Sequence, residues 1–525
     1  MKSNDVQYML NSNIKPSSLR LGRCFLILSF MGCWMLLPFC LRSQSEEKAD
    51  AVKGWNAPFI KVKKNAPNIL WICTDQQKWN TIGALGNPYV KTPHIDRLVK
   101  EGVSFTKAFC QAPFCTPSRA SFLTGMYPST LHTTKNGVAT WAEAAPLITK
   151  TLKDAGYECG LAGKLHLSSA MVNRPELRAK DDGYQVFNYS HSPYQGGAAN
   201  QYIKYWRDKG VDILKLKTEL GYVPAQYHQT TWCVDRAIDF ISDRREWPWM
   251  FSLNIYDPHG PLDPPKEYLD RYDLSRLPDP LFKESDLKEK SVFNNVKFQS
   301  QPKKYTAKQN RERLARYWAQ IDLIDENIGR LLNVLKETGQ LDNTLIIFTS
   351  DHGDMTGDHG LINKGCRFYE SLVRVPLIFW YPSLFERNIQ SDALVELTDI
   401  VPSILELVGL PRDKKMQGQS LLPILTGKKT PGYHRDFVRS EYYDDDDRTD
   451  ASLGYGTMFR TQEYKLVVYH GHSMGELFDL KKDPDEYRNL WDDPSYTSIK
   501  MDLLRQSFDA TVHAIDTGPE RSGRY

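Results

Sequence analysis

Cys115 and Arg119 stand in the stretch Phe114-Cys115-Thr116-Pro117-Ser118-Arg119-Ala120-Ser121-Phe122-Leu123-Thr124-Gly125, and their types and spacing suit chemistry on an anion. Proline is excluded from a helix interior but favoured in its first turn. Cys115 is therefore expected just before a helix whose opening turns run from Ser118 to Leu123. That puts a thiol and a guanidinium close together at a helix N-terminus, where unpaired N–H groups and the positive end of the dipole favour negative charge. A buried structural cysteine at a strand-to-helix turn is the plainer alternative, since unpaired cysteine is among the most buried residue types.

Other reactive groups follow apolar runs. Asp75 and Gln76 follow Pro67–Cys73 after Thr74 alone, and Asp351 and His352 follow Leu345–Thr349 after Ser350 alone. Oxygens from Asp75, Gln76 and Asp351 suit a hard divalent cation, calcium before magnesium on ligand count, whereas a nitrogen from His352 is less typical of calcium. Lys164 and His166 leave the run Glu158–Gly163, and continued strand alternation would set them side by side on one face. His259 lies between Pro258 and Pro261, on a stiff loop after Trp249–Ile255, and Lys364-Gly365 follows the Asp351 segment. A solvated lysine and an incidental histidine are the ordinary alternatives for 164 and 166.

These groups need a scaffold, and the pattern supplies one. Buried apolar strands alternate with helical patterns at 93–102, 147–155, 230–244, 307–338 and 397–408. Such alternation predicts an α/β fold with a mainly parallel sheet sandwiched by helices and with function at the strand carboxyl ends. Asp75, Gln76, Cys115, Lys164, His166, His259, Asp351 and His352 all fall at such ends or on the loops leaving them. Residues 170–225 read as loop-rich, substrate-facing insertions and 262–305 as a surface excursion. After about 430 the texture changes to short strands such as Gly456–Arg460 and Tyr464–Tyr469, a smaller C-terminal α+β subdomain; the acidic run Asp444–Asp447 reads as a solvated loop. The expected map is a leader at 1–42, a linker at 43–66, a catalytic α/β domain at 67–430 and the subdomain at 431–525.

With 525 residues, 41% of them hydrophobic, the chain is long enough for a large core. Its formal charge of +3 is misleading, because residues 1–42 carry +4 and leave −1 for the rest. No basic field argues for a nucleic-acid partner. Cys24–Leu41 is uncharged, preceded by basic residues and followed by polar ones. It reads as a secretion signal or an N-terminal anchor, and either exports the rest, to a periplasmic, secreted or membrane-anchored location; contact with a membrane is expected only through this segment. Nine cysteines divide into three in the leader and six scattered beyond it, which is no disulfide framework.

Cys-x-Pro-Ser-Arg followed by Ala-Ser-Phe-Leu-Thr-Gly resembles the signature of the type I sulfatases, as Gly163-Lys164-Leu165-His166-Leu167 resembles their Gly-Lys-Trp-His-Leu segment and His259 their Pro-His-x-Pro setting. The resemblance spans most of 67–490 and implies the alkaline-phosphatase-like fold and hydrolysis of sulfate monoesters, with a sulfated small molecule or glycan as substrate. In that family the cysteine is oxidised to formylglycine by a maturation enzyme. One hydroxyl of the hydrated aldehyde, held by the cation, then attacks sulfur, and the other expels sulfate by re-forming the aldehyde. Carried onto this chain, Asp75, Gln76, residue 115, Asp351 and His352 would bind the cation, with Ca2+ expected and Mg2+ or Mn2+ as alternatives. Arg119, Lys164 and Lys364 would neutralise sulfate, His166 would act as base, and His259 would bind sulfate or protonate the leaving alcohol. Family members more often show Asp-Asp and Asp-Asn where this chain has Asp75-Gln76 and Asp351-His352. A phosphonate or phosphodiester hydrolase on the same fold, and a non-catalytic carbohydrate-binding relative, are the competing readings.

Overall fold

Every residue of Asn68–Asp75 is buried, as a run with no polar face requires of a strand covered on both sides. It is β1 of a sheet whose other strands are β2 (Val103–Phe109), β3 (Glu158–Gly163), β4 (Val186–Tyr189), β5 (Trp249–Pro258), β6 (Thr344–Ser350), β7 (Arg374–Val375), β8 (Leu377–Trp380) and β9 (Ile389–Glu396). The computed structural model describes residues 60–516 except 143, 171–175, 196–199, 291–300 and 444–453, together with 518. The expected leader, most of the expected linker and the acidic run at 444–447 lie outside the described residues.

The strand order is β4-β3-β5-β1-β6-β8-β2-β7, with β9 paired to β2. Neighbours from β4 to β6 in that order are all parallel, so the sheet is mainly parallel, as the alternating pattern predicts. The exceptions lie on one side: β8 runs antiparallel to β6 and β2, and β7 to β2. The run Arg374–Trp380 is divided into two strands at Pro376, which has no N–H to give to a ladder. Successive residues of β1 enter opposite cores, Ile69, Trp71 and Cys73 on one face, Leu70 and Ile72 on the other. The second face is covered by α1 (Pro93–Glu101) and by the helices Gln229–Ser242 and Ala307–Glu337, through Leu98, Trp232 and Ile328 among others. The first face is covered by α2 (Cys115–Thr124) and by Ile148–Asp154 and Ile400–Val408, through Phe122, Leu152 and Ile404.

The C-terminal strands β10 (Val438–Tyr443), β11 (Tyr455–Arg460), β12 (Tyr464–Tyr469) and β13 (Gly475–Asp479) form an antiparallel sheet in that order, followed by the helix Thr497–His513. Val438, Tyr442, Met458 and Val467 join the core that holds Trp71 and Phe122, so this sheet shares apolar contacts with the first. Residues 170–225 hold more structure than their polar texture suggests. They include β4 and two helices, Gln201–Asp208 and Ile213–Leu220, each begun by a side-chain cap from Asn200 or Asp212. The described end of the expected linker is packed rather than free: Val62 is buried and donates its N–H to the Ala155 carbonyl at 3.0 Å. The six described cysteines are buried and no disulfide joins them.

Candidate active site

In the run β3-β5-β1-β6 four parallel strands end side by side, and each carboxyl end delivers one part of the site. Lys164 follows β3, His259 follows β5, Asp75 closes β1, and Asp351 and His352 follow β6. Carboxyl ends are where parallel sheets keep their ligands. Residue 115 arrives on α2. The helix begins at Cys115 itself, one residue earlier than Pro117 suggests, with Phe114 extended before it (φ −166°). All ten residues of α2 are buried, and it ends on Gly125 at φ 75°, whose N–H returns to Ser121 O at 2.9 Å.

Donor atoms from Asp75, Cys115, Asp351 and His352 all lie within 4.8 Å of one another. Cys115 Sγ is 3.7 Å from Asp75 Oδ1 and 3.3 Å from His352 Nε2. His352 Nδ1 lies 2.8 Å from the Gly353 carbonyl. A carbonyl only accepts, so Nδ1 carries the proton and, in the neutral ring, Nε2 turns its lone pair to the cluster. Gln76, at φ 69°, gives its N–H to Asp351 Oδ1 at 3.0 Å and its amide nitrogen to Asp354. Its Oε1 is buried with no hydrogen-bond partner among the described residues. Two carboxylates, an imidazole nitrogen and an orphaned amide oxygen make a donor set that fits a divalent cation.

Positive charge surrounds these donors. Arg119 Nε donates to Asp351 Oδ2 at 2.9 Å, Nη2 to Asp75 Oδ2 at 3.3 Å and Nη1 to the Lys164 carbonyl at 3.0 Å. The ammonium of Lys164 pairs with Asp75 and lies 3.4 Å from Cys115 Sγ. Lys364 Nζ is 2.8 Å from the same sulfur and 3.4 Å from His352 Nε2. Burial would raise the Cys115 thiol, and Asp75 would add to that, but Lys164, Lys364 and His352 overcome both and hold it well below the ordinary thiol range. Burial likewise acts to raise Asp75, yet Lys164, His259 and Arg119 hold it well below the usual carboxylate range.

A cavity of about 450 Å³ opens over this cluster, lined by Gln76, Phe114, Asn136, His259, Lys364 and Tyr442 among others. His259 Nδ1 is 2.7 Å from the Gly260 carbonyl, and burial, with Lys364 beside it, lowers its imidazole to about 4. His166 is placed otherwise than by strand alternation. The strand stops at Gly163 and His166 adopts φ 59°, on a loop where burial, then Lys164 and Arg119, lower its imidazole well below the ordinary range. Its Nδ1 has no hydrogen-bond partner among the described residues, and its ring stands edge-on to His191 at 4.5 Å. Sequence reasoning missed Asn136, whose Oδ1 takes the Thr116 N–H at 2.9 Å, and Tyr442, whose ring lies 4.5 Å from Phe114. It also missed His191 and Glu176, which sit in the insertion read as loops. A polar residue far along the chain carries no local sign that it will meet the start of α2.

Comparison with known proteins gives a consistent picture. Residues 67–410 match the family described as Sulfatase, and residues 357–512 the one described as N-sulphoglucosamine sulphohydrolase, C-terminal. The chain is 30% identical over 470 residues to an arylsulfatase of Clostridium perfringens, covering 84% of this chain and 93% of that protein. It is 27% identical over 522 residues to an N-acetylglucosamine-6-O-sulfatase of Bacteroides thetaiotaomicron, covering 88% and 89%. Among solved structures, the phosphonate monoester hydrolase SpPMH from Silicibacter pomeroyi is similar with a TM-score of 0.74 at 26% identity, over 86% of this chain and 96% of that one.

Proposed function

Because this chain belongs to the sulfatase family and is a sulfuric ester hydrolase, we propose that it removes sulfate from a sulfated carbohydrate or similar organic sulfate, using a formylglycine made from Cys115 and a divalent cation. The observation that carries this reading is the convergence of three metal-type donors, Asp75, Asp351 and His352, and two ammonium groups on residue 115. Asp75, Gln76, residue 115, Asp351 and His352 would hold the ion. The oxygen set argues for calcium, with magnesium or manganese as alternatives; the imidazole of His352 is the one donor less typical of such hard cations. Bound there, the ion supplies Lewis acidity toward a sulfate oxygen, and the modified side chain supplies a geminal diol as nucleophile.

The remaining steps belong to side chains. Arg119, expected to meet sulfate, has its guanidinium committed to Asp75, Asp351 and a backbone carbonyl, so we assign it to holding the two carboxylates. Lys164 and Lys364 are left to neutralise charge as it builds on sulfate oxygens. The depressed imidazole of His166 is neutral at ordinary pH and suits a base on the second hydroxyl. His259 lines the cavity at the leaving-group end; lowered to about 4 it is neutral in the free protein, so to act as an acid it must take up a proton once the anionic sulfate is bound. If it protonates the departing oxygen, His259→Ala costs a sulfated sugar about 10²–10⁴-fold in kcat/KM and an activated aryl sulfate, whose phenol leaves unaided, far less. Equal losses on the two substrates would reduce His259 to a sulfate ligand.

The general test is hydrolysis of an aryl sulfate by protein co-produced with a formylglycine-generating enzyme and supplied with each cation in turn. Turnover that needs both supports the reading; turnover that needs neither removes it. A second reading, phosphonate monoester or phosphodiester hydrolysis, is favoured by the likeness to SpPMH. Comparing kcat/KM on an aryl sulfate and an aryl phosphonate monoester separates the two, and we expect the sulfate to be preferred. We also propose that residues 24–41 direct export. No helix of the described residues is long and apolar enough to cross a membrane.

A further inference from the structure

The loop that carries Lys164 and His166 keeps one hold on the sheet, the Lys164 N–H to the Asn254 carbonyl of β5 at 3.0 Å, and leaves it from there. Strand β3 stops at Gly163, which has φ 104° and sits where a Cβ would fall 1.9 Å from the Asn254 carbonyl. Beyond it His166 takes φ 59°, a conformation that a non-glycine residue keeps only where its surroundings over-determine it. One flank of the loop is fixed by Arg119 Nη1, which donates to the Lys164 carbonyl at 3.0 Å. The other flank is fixed by Glu176. Its Oε2 accepts the His166 N–H at 2.7 Å, and its Oε1 accepts the N–H groups of Leu167 at 2.5 Å and Ser168 at 3.4 Å.

Three consecutive amides converging on one carboxylate form a backbone nest, an arrangement that binds an anion through the chain itself. Glu176 is buried, and burial raises its carboxyl to about 7 while the three amides work against that rise; no ion pair joins it among the described residues. It is itself anchored: its N–H reaches Tyr189 Oη at 3.4 Å at the end of β4, and Ser168 Oγ donates to the Leu177 carbonyl at 2.9 Å. The nest dictates the direction in which His166 leaves the chain, and the His191 ring, edge-on at 4.5 Å, stops the imidazole on one side.

We propose that Glu176 is a positioning residue whose carboxylate holds His166 in the geometry its proton transfer needs. The inference rests on the reading of His166 as the base. Glutamine at 176 keeps the size of the side chain but turns an amide toward one of the three N–H groups, which removes an acceptor and adds a clash of donors.

The test is a double-mutant cycle on the mature, cation-loaded enzyme, with residue 115 conversion checked by peptide mass in every variant. Glu176→Gln is expected to lower kcat about 10–100-fold, the scale on which supporting groups are felt, with KM little changed and the melting temperature modestly lowered by the unpaired N–H. In the His166→Ala background the same substitution is expected to change kcat by less than about 2-fold, since the group it positions is gone. Losses that multiply across the two sites would overturn the inference and leave the reading of His166 intact. A fully active His166→Ala enzyme would remove that reading, and the inference with it. If Glu176→Gln does not fold, Tyr189→Phe takes its place, since it frees only the Glu176 N–H. It is expected to give a smaller loss of kcat that also vanishes without His166, and an undiminished loss there would count against the proposal.

Discussion

Cys115→Ala is expected to abolish sulfate ester hydrolysis, by about 10⁶-fold, the scale on which loss of a nucleophile is felt, without unfolding the protein. The side chain is small, so its removal takes away few apolar contacts, while α2 keeps its caps and its buried Phe122 and Leu123. The unmodified thiol is expected to be no substitute. Lys164 and Lys364 hold it toward the thiolate, and a sulfated sulfur has no second hydroxyl through which to release the product. The check is activity beside a melting curve: a folded but inactive alanine variant is the expected result. Residual turnover within about tenfold of the parent would mean that residue 115 does not attack sulfur.

The second large effect falls on the carboxylates. Asp351→Ala is expected to lower bound cation and activity together, because metal affinity rests on the deprotonated ligands present. It also withdraws the partner of Arg119 Nε and the acceptor of the Gln76 and His352 N–H groups. Removing one member of a buried ion pair costs about 3–5 kcal/mol, so the variant should melt at a markedly lower temperature even without cation. Asp75→Ala should share the loss of metal, and it strands the Lys164 ammonium in the same way. Elemental analysis of the purified variants measures the first effect and calorimetry the second. Full cation occupancy in both variants would move the metal site elsewhere.

How much of this was legible in the sequence depended on how far each group's position follows from its own neighbourhood. Asp75 and Asp351 close long apolar runs, and such runs become central parallel strands, so both land at carboxyl ends whatever the rest of the chain does. The helix at Cys115 was legible because Pro117 limits where a helix can start. Strand alternation would set Lys164 and His166 on one face, but the chain ends its strand at Gly163 and turns at His166, so alternation does not decide where these two side chains lie. The partners of Arg119, Asp75, Asp351 and the Lys164 carbonyl, were not legible, because the direction of a guanidinium depends on which carboxylates fold behind it. Glu176, Asn136 and His191 left no sign at all. Each acts through backbone or ring contacts made across the fold, and no spacing within 170–225 or around 136 marks them.

The central claim concerns the chemical state of residue 115, and peptide mass spectrometry of the active protein reads that state directly. Preparations made with increasing amounts of a formylglycine-generating enzyme would give a series in aldehyde content to set against specific activity on an aryl sulfate. The account predicts that activity rises in proportion to the fraction of residue 115 present as aldehyde and falls to background where only thiol is found. Full activity in protein whose residue 115 is entirely thiol would contradict it.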